Sequence, residues 1–141
     1  MSKDDLEIVR QVYECVNSGD WERMAELVDP DVEQPGTVGG LEESNLAHGL
    51  SEIRQLYEND EEAWGEYRID PEKVIDAGDK VVVFQREYQR GRSSGIEIVT
   101  ETAAIIYLRD GRIVRMQGYL DRAAALEAAG LSSRDAQRQA G

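Results

Sequence analysis

Two ionisable side chains stand where they could exchange a proton with a bound molecule. Glu101 lies in an alternating stretch of the chain, and it is the one carboxylate on the more apolar face of that stretch. Burial on such a face disfavours the charged form of a carboxyl group and raises its pKa, which suits a general acid or base. His48 is the only histidine, and this side chain titrates near neutral pH. Glu101 and His48 are therefore candidates for proton transfer, a chemistry that needs no cofactor.

Both residues also have a structural explanation that the sequence leaves open. Glu101 lies near the start of a predicted strand, where its carboxylate could simply reach solvent. His48 lies in a predicted loop before Gly49, at the expected mouth of a pocket, and loop side chains are usually surface residues. The sequence is compatible with either explanation.

Large side chains on the predicted helices and the last strand would wall a pocket for a small, largely apolar molecule. The aromatic ones fall at inward-facing helical positions, and the others share one face of the last strand. The predicted walls are Trp21, Tyr57, Trp64, Met116 and Leu120, and Gly118, a further predicted substrate contact, shares the strand face of the last two. The alternative is that these side chains only fill the core.

The first half of the chain predicts three helices that would position these walls. A capping-box start at Ser2 opens a first helix, which ends near Gly19. Asp20 and Ser51 can cap a second and a third helix. The long loop at residues 35–49 precedes the third helix, and loops of that length often cover sites.

The second half alternates with period two and predicts four antiparallel strands, after a brief strand at residues 32–34. Asp110-Gly111 predicts a type I′ turn whose register sets Ala103 opposite Gly118. The concave face is then predicted to carry Glu101, Ala103, Ile105 and Tyr107 beside Val114, Met116, Gly118 and Leu120. The opposite, mixed face, with Thr102 and Tyr119, suits a subunit interface. Helices followed by strands indicate an α+β fold, with helices on one face of a curved sheet.

Length and charge bound the class of protein. The 141 residues fit one domain, which we place at residues 1–131, and the polar residues 132–141 predict a flexible tail. The formal net charge of -13 would repel nucleic acid and anionic membranes, and no apolar run approaches the roughly 20 residues of a membrane span. Without a signal-peptide pattern at its N-terminus, the chain is predicted to be cytoplasmic.

Metal and nucleotide sites are not expected. One His and one Cys, Cys15, lack the paired spacing of zinc ligands, and they allow no internal disulfide. The glycines of residues 36–40 lack the following lysine of a phosphate-binding loop. We therefore predict no metal and no cofactor.

Several short motifs together resemble a known superfamily. They are Gly19-Asp20-Trp21, the run Asp-Pro-Asp-Val-Glu-Gln-Pro at residues 29–35, His48-Gly49 before a helix, Asp110-Gly111-Arg112-Ile113, and Asp121 nine residues before Gly130. From Leu6 to Leu131 this pattern resembles the nuclear transport factor 2 superfamily, and within it the SnoaL-like polyketide cyclase domains and ketosteroid-isomerase-like proteins. The resemblance implies a cone-shaped sheet with three N-terminal helices on its concave face, a pocket between them, and a homodimer through the outer face.

The resemblance also implies roles for individual residues. Asp121 matches the acid/base aspartate that closes the last strand of the SnoaL-like cyclases, although it also stands where an N-cap belongs, ahead of residues 122–129. Gln34 stands where the isomerases have their general-base aspartate, and Tyr13 adjoins Val12, which replaces their oxyanion tyrosine. Because Gln34 cannot accept a proton at neutral pH, the usual steroid isomerisation is not expected. Gln34 and Tyr13 remain as polar substrate contacts.

Two functions are therefore open. The first is a cofactor-free isomerase, cyclase, dehydratase or hydrolase that acts on a largely apolar substrate through Asp121, Glu101 or His48. The second is a noncatalytic ligand-binding or dimeric assembly module, which the loss of both isomerase positions favours. A protein-interaction domain would need a large exposed apolar patch, and the predicted strands supply none.

Overall fold

Helices and strands segregate along the chain, as predicted for an α+β fold. The computed structural model describes residues 1–138, apart from the side chains of residues 60, 61, 63, 64 and 138. In chain order the elements are α1 (Lys3–Ser18), α2 (Trp21–Leu27), β1 (Val28–Pro35), β2 (Leu46–His48), α3 (Leu50–Trp64), β3 (Glu66–Asp76), β4 (Lys80–Arg90), β5 (Glu97–Arg109), β6 (Arg112–Tyr119), α4 (Arg122–Ala128) and α5 (Ser133–Arg138). Trp64, one of the predicted pocket walls, closes α3, and its side chain lies outside the described part of the structure.

Local hydrogen bonds fix both ends of α1. The Ser2 hydroxyl accepts a hydrogen bond from the backbone N–H of Asp5 at 3.0 Å, and the Asp5 carboxylate accepts one from the backbone N–H of Ser2 at 3.4 Å. This capping box satisfies two backbone donors that the helix leaves unpaired. Gly19 ends the helix with φ of 72°, a left-handed conformation that glycine adopts without steric cost. The predicted start and end of this helix are both observed.

The six strands found in residues 1–138 form one sheet in the order β2-β1-β6-β5-β4-β3. Neighbouring strands are antiparallel except β1 and β6, which are parallel, so the sheet is mixed where the sequence predicted an antiparallel one. The long connection from β1 to β6 removes the constraint that makes a tight hairpin antiparallel. The N-terminal helices pack on the concave face around a core that includes Val9, Met24 and Ile53, each fully buried.

The β5–β6 hairpin turns where the sequence predicts it. Asp110 and Gly111 have φ of 53° and 76°, and a type I′ turn needs positive φ at both of these positions. Next to the turn, Leu108 pairs with Ile113, as the predicted register requires. The sequence therefore predicted the turn and the first pairs correctly.

A β-bulge then changes the register of this hairpin by one residue. The ladder skips Val114, which becomes the extra residue of β6. Beyond the bulge, Gly118 lies opposite Ala104, where the prediction had Ala103. Because side chains alternate between the faces of a sheet, a shift by one residue reverses the faces of β5 relative to β6.

This reversal corrects two predictions. Glu101 alternates in phase with Ala103 and Ile105, which are buried on the outer face, so the prediction that Glu101 faces the pocket is wrong. Thr102 and Tyr119 were expected to share a subunit interface, yet Thr102 points to the concave face and Tyr119 packs on the outer one. The homodimer stays a prediction, but Thr102 and Tyr119 no longer share the face that was expected to form its interface.

The C-terminal helices cover part of the outer face. Ala125 and Leu126 of α4 pack in a second buried cluster that includes Ile105 and Val82 of the sheet. Ala136 of α5 joins this cluster and is 4% exposed. The expected flexible tail therefore forms a helix as far as residue 138, because the outer face offers it an apolar surface, and residues 139–141 lie outside the described residues.

None of the helices described in residues 1–138 is both long and apolar enough to span a membrane.

Candidate functional site

A cavity of about 920 Å³ lies between the concave face of the sheet and the helices α1 and α3. Residues of the β1–β2 loop border its remaining side. Small-molecule sites typically measure roughly 300–1,000 Å³, so this cavity has the size of a ligand pocket. Apolar wall residues such as Val12, Ile69 and Ala104 alternate with polar ones. The space predicted between sheet and helices is therefore open.

Most of the predicted substrate-binding residues lie at this cavity. Those that line it are Tyr13, Gln34, Tyr57, Met116 and Gly118. Trp21 packs behind the wall, with its ring centroid 5.8 Å from that of Tyr57. Leu120 is 46% exposed and does not belong to the described lining. The roles of these side chains in binding stay predictions.

A directed chain of hydrogen bonds crosses the floor of the cavity. The Tyr13 hydroxyl donates to Oε1 of Gln85 at 2.5 Å, and Nε2 of Gln85 donates to Oγ1 of Thr102 at 3.1 Å. The Thr102 hydroxyl in turn donates to Oε2 of Glu87 at 2.9 Å. From the other side, the Tyr67 hydroxyl donates to Oε1 of Glu87 at 2.8 Å. All five residues line the cavity, and the donors point towards the Glu87 carboxylate.

Sequence reasoning missed Glu87, although β4 carries a signal that could have found it. Val81 and Val83 are fully buried on the concave face, and Gln85 and Glu87 continue the same alternation. A strand whose buried face changes from valine to glutamine and glutamate places polar groups inside the molecule. Such groups need partners, and partners inside a cavity mark a candidate site.

Tyr13 anchors the buried end of the hydrogen-bond chain. It is 6% exposed, and burial raises the pKa of its hydroxyl well above the ordinary value, with the nearby Tyr57 and Glu87 adding to the rise. The hydroxyl therefore stays protonated, which its role as donor to Gln85 requires.

Gln34 adds an unsatisfied acceptor to the cavity wall. Its side-chain oxygen is buried and has no hydrogen-bond partner among the residues that the structure describes. Leaving such an atom unpaired costs about 1–3 kcal/mol, and few buried polar atoms of native proteins are left without a partner. The position matched to the isomerase base therefore holds a buried, unpaired acceptor, which a bound molecule would reach only after the Gln34 side chain turned towards the cavity.

The three predicted catalytic residues do not line the cavity. The Glu101 carboxylate is 59% exposed on the outer face, 3.9 Å from Nη1 of Arg122. His48 lies in β2 with its side chain 56% exposed, and its Nε2 is 3.5 Å from a carboxylate oxygen of Asp31. Asp121 caps α4, where its carboxylate accepts a hydrogen bond from the backbone N–H of Ala123 at 3.0 Å.

Two substitutions of Asp121 distinguish its role as the N-cap of α4 from a role in catalysis. We expect Asp121→Ala to lower the free energy of unfolding by about 1 kcal/mol, because α4 loses the acceptor at its N-terminus. Asp121→Asn should keep most of that stability, since asparagine also caps helices. Urea unfolding measures the loss of stability, and activity on any compound that the protein converts measures the chemical role. A lost activity in both variants, with full stability in the asparagine variant, would instead restore Asp121 as an acid/base residue.

Arg122 supports the hydrogen-bond chain from the outer face of the sheet. Its Nε donates to the backbone oxygen of Thr102 at 3.0 Å, and its Nη2 donates to that of Gln85 at 2.9 Å. These are the two residues whose side chains connect Tyr13 to Glu87 on the other face. The guanidinium also lies 4.8 Å from the ring centroid of Phe84, close enough for a cation–π contact.

Within the described residues, no group of three or more His, Cys, Asp or Glu side chains is arranged to hold a metal ion.

Comparison with known families gives one match that spans most of the chain. The model of the SnoaL-like domain family matches residues 9–116. None of the curated proteins matches the sequence.

Solved structures of several proteins share the fold. TerC, crystallised with polyporic acid, is 24% identical with a TM-score of 0.73, over 91% of this chain and 99% of its own. A protein with a ketosteroid isomerase-like fold from Catenulispora acidiphila, in complex with trimethylamine, is 16% identical with a TM-score of 0.69, over 91% and 95%. IdmH from Streptomyces antibioticus, a proposed polyketide cyclase, is 21% identical with a TM-score of 0.68, over 81% and 89%.

Proposed function

The chain belongs to the SnoaL-like domain family, and from that premise we propose that its cavity binds a small, largely apolar molecule and exchanges a proton with it through Glu87. The observation that carries the proposal is the Glu87 carboxylate, held by the hydroxyls of Tyr67 and Thr102 inside a cavity of about 920 Å³. In this proposal Glu87 replaces Glu101, Asp121 and His48, the three residues predicted from the sequence to transfer the proton.

The geometry around Glu87 suits a general base. Each carboxylate oxygen accepts one hydroxyl hydrogen bond, which fixes the orientation of the group and leaves further lone pairs for a substrate. Glu87 would take a proton from a carbon or hydroxyl of the substrate and return it to another atom, so no cofactor is consumed. Isomerisation, cyclisation, dehydration and hydrolysis all proceed by such steps.

The remaining walls suit an apolar body with few polar groups. Met116, Val12 and Ile69 offer apolar surface, while Glu87 and Thr102 offer polar groups. Pockets of this kind bury most of a small ligand and orient it by a small number of polar contacts. One of the similar structures is a proposed polyketide cyclase, so a polyketide-like molecule fits the substrate class that we propose for this cavity.

Glu87→Gln tests the proposed acid/base role. The wild-type protein would be screened with hydrophobic carbonyl, epoxide and polyketide-like compounds for binding and for turnover. For any compound that is converted, we expect Glu87→Gln to lower kcat about 100-fold or more, because the amide cannot accept the proton. Glu101→Gln is the matched control, since it removes a carboxylate of β5 from the outer face, and it should leave kcat unchanged.

Two outcomes would redirect the proposal. Full turnover in Glu87→Gln would remove Glu87 from the chemistry, whereas loss of turnover in Glu101→Gln would return the role to that residue. Tight binding of several compounds without conversion by the wild-type protein would support the noncatalytic binding module.

A further inference from the structure

We propose that the molecule in this cavity carries a protonated amine, and that its ammonium group lies against the Glu87 carboxylate. The inference rests on the proposed function in one respect, that the cavity holds a small molecule. It adds the charge of that molecule and the residue that recognises the charge. Three features of the cavity lead to it.

The first feature is the charge of the wall. Among the described lining residues, the charged side chains are Glu42, Glu52 and Glu87, and none is Lys, Arg or His. An anionic ligand would therefore meet carboxylates and no compensating cation. The formal net charge of -13 on the whole chain acts in the same direction, since it attracts cations and repels anions at long range.

The second feature is the state of Glu87 itself. Glu42 and Glu52 are exposed, whereas Glu87 is partly buried in the wall. Its two oxygens accept hydrogen bonds from the neutral hydroxyls of Tyr67 and Thr102, and no cation of the described residues forms an ion pair with it. A carboxylate accepts about four hydrogen bonds in all, so two acceptor positions remain for the N–H groups of an ammonium ion. The ligand would supply the positive charge that the wall lacks.

The third feature is the aromatic wall beside Glu87. The hydroxyl of Tyr67 binds Glu87, and the ring centroid of Tyr67 lies 6.1 Å from that of Tyr57. Tyr13 also lines the cavity. The faces of such rings attract a cation placed within about 6 Å, and they also pack against its alkyl substituents. The same wall therefore favours an ammonium group over a carboxylate and over a neutral hydroxyl.

A series of three ligands with one carbon skeleton tests the inference. 4-Phenylbutylamine is a cation at pH 7.5, 4-phenylbutan-1-ol is neutral, and 4-phenylbutyrate is an anion. Titration calorimetry with the wild-type protein at low ionic strength is expected to give a Kd for the amine at least about tenfold below that of the alcohol, with the anion weakest. The comparison needs no variant, so it holds whether or not any substitution disturbs folding.

Two charge-matched variants assign the effect to one carboxylate. Glu87→Gln should reduce the preference for amine over alcohol to less than about threefold, while affinity for the alcohol is kept. Glu127→Gln removes an equal charge from an exposed position of α4 and should keep the tenfold preference. Thermal unfolding of each variant verifies that it is folded.

The remaining outcomes each decide a question. An alcohol or an anion that binds as tightly as the amine overturns the amine inference and leaves the proposed cavity function standing. A tenfold preference that survives Glu87→Gln also overturns the inference, because another group would then select the charge. If none of the three ligands binds at millimolar concentration, the amine inference fails, whereas the proposed function is decided by the screen with carbonyl, epoxide and polyketide-like compounds.

Discussion

Replacing Arg122 with methionine is expected to lower the free energy of unfolding by about 2–4 kcal/mol, the largest effect we predict for a polar residue. The substitution keeps much of the aliphatic chain but removes two hydrogen bonds to backbone oxygens, at 2.9 and 3.0 Å. It also removes a 3.0 Å ion pair with Glu72. Since the Arg122 side chain is 23% exposed, these bonds lie partly out of water, where their loss is costly.

Both backbone oxygens that Arg122 binds belong to residues at irregular places in the sheet. Pro71 is the register partner of Gln85 on β3, and proline has no N–H to donate. The described ladder between β5 and β6 ends at the pair Ala103 and Tyr119, so Thr102 lies beyond the last partner residue. One planar guanidinium can donate to both oxygens at once, which a lysine ammonium cannot match.

Urea unfolding of two variants measures this effect and locates it. Arg122→Lys keeps the charge and should recover no more than about half of the lost stability. Because Gln85 and Thr102 carry the side chains that orient Glu87, we also expect Arg122→Met to weaken ligand binding in the cavity, although Arg122 lies on the other face. Arg109→Met, on the exposed β5–β6 turn, should cost less than about 0.5 kcal/mol. Equal stability of Arg122→Met and the wild-type protein would refute the role of Arg122 in the sheet.

The helix ends and the hairpin turn follow from local chemistry, and for that reason the sequence predicts them. Ser2, Gly19, Asp110 and Gly111 each act on backbone groups within a few residues of themselves. The resemblance predicted the cavity for a different reason, since the motifs extend over most of the chain and the family match covers residues 9–116.

The identity of the acid/base candidate was not predictable from the same signals. A single extra residue, Val114, reverses the faces of β5 relative to those of β6, because a β-bulge sets two residues of one strand opposite one residue of the other. The predicted register, which lacked the bulge, therefore placed Glu101 in the pocket and Thr102 outside it. The alternation of β4 indicates that Glu87 faces inward, but its proposed role depends on hydroxyls from β3 and β5, Tyr67 and Thr102, which only the folded sheet brings together.

Tyr13→Phe is expected to have the second large effect. It should lower the free energy of unfolding by an amount that depends on pH. The substitution leaves Oε1 of Gln85 buried without its donor, which should cost about 1–3 kcal/mol near neutral pH. Burial raises the pKa of the Tyr13 hydroxyl well above its ordinary value, so the folded protein keeps a proton that the unfolded chain releases. This contribution to stability is fully present below about pH 10, and it decreases as the pH rises above that value by up to about 1.4 kcal/mol per unit.

The stability advantage of the wild-type protein over Tyr13→Phe should therefore be constant from pH 7 to pH 9 and decrease between pH 10 and pH 11. Taking the difference removes the contribution of Tyr119, whose pKa burial also raises, because both proteins contain it. A double variant, Tyr13→Phe with Gln85→Met, removes the unpaired oxygen but also the hydrogen bond from Gln85 to Thr102, so it should be only slightly more stable than Tyr13→Phe alone. An advantage that stays constant up to pH 11 would show that the Tyr13 hydroxyl ionises equally in both states, and the buried hydrogen bond to Gln85 would then not hold its proton.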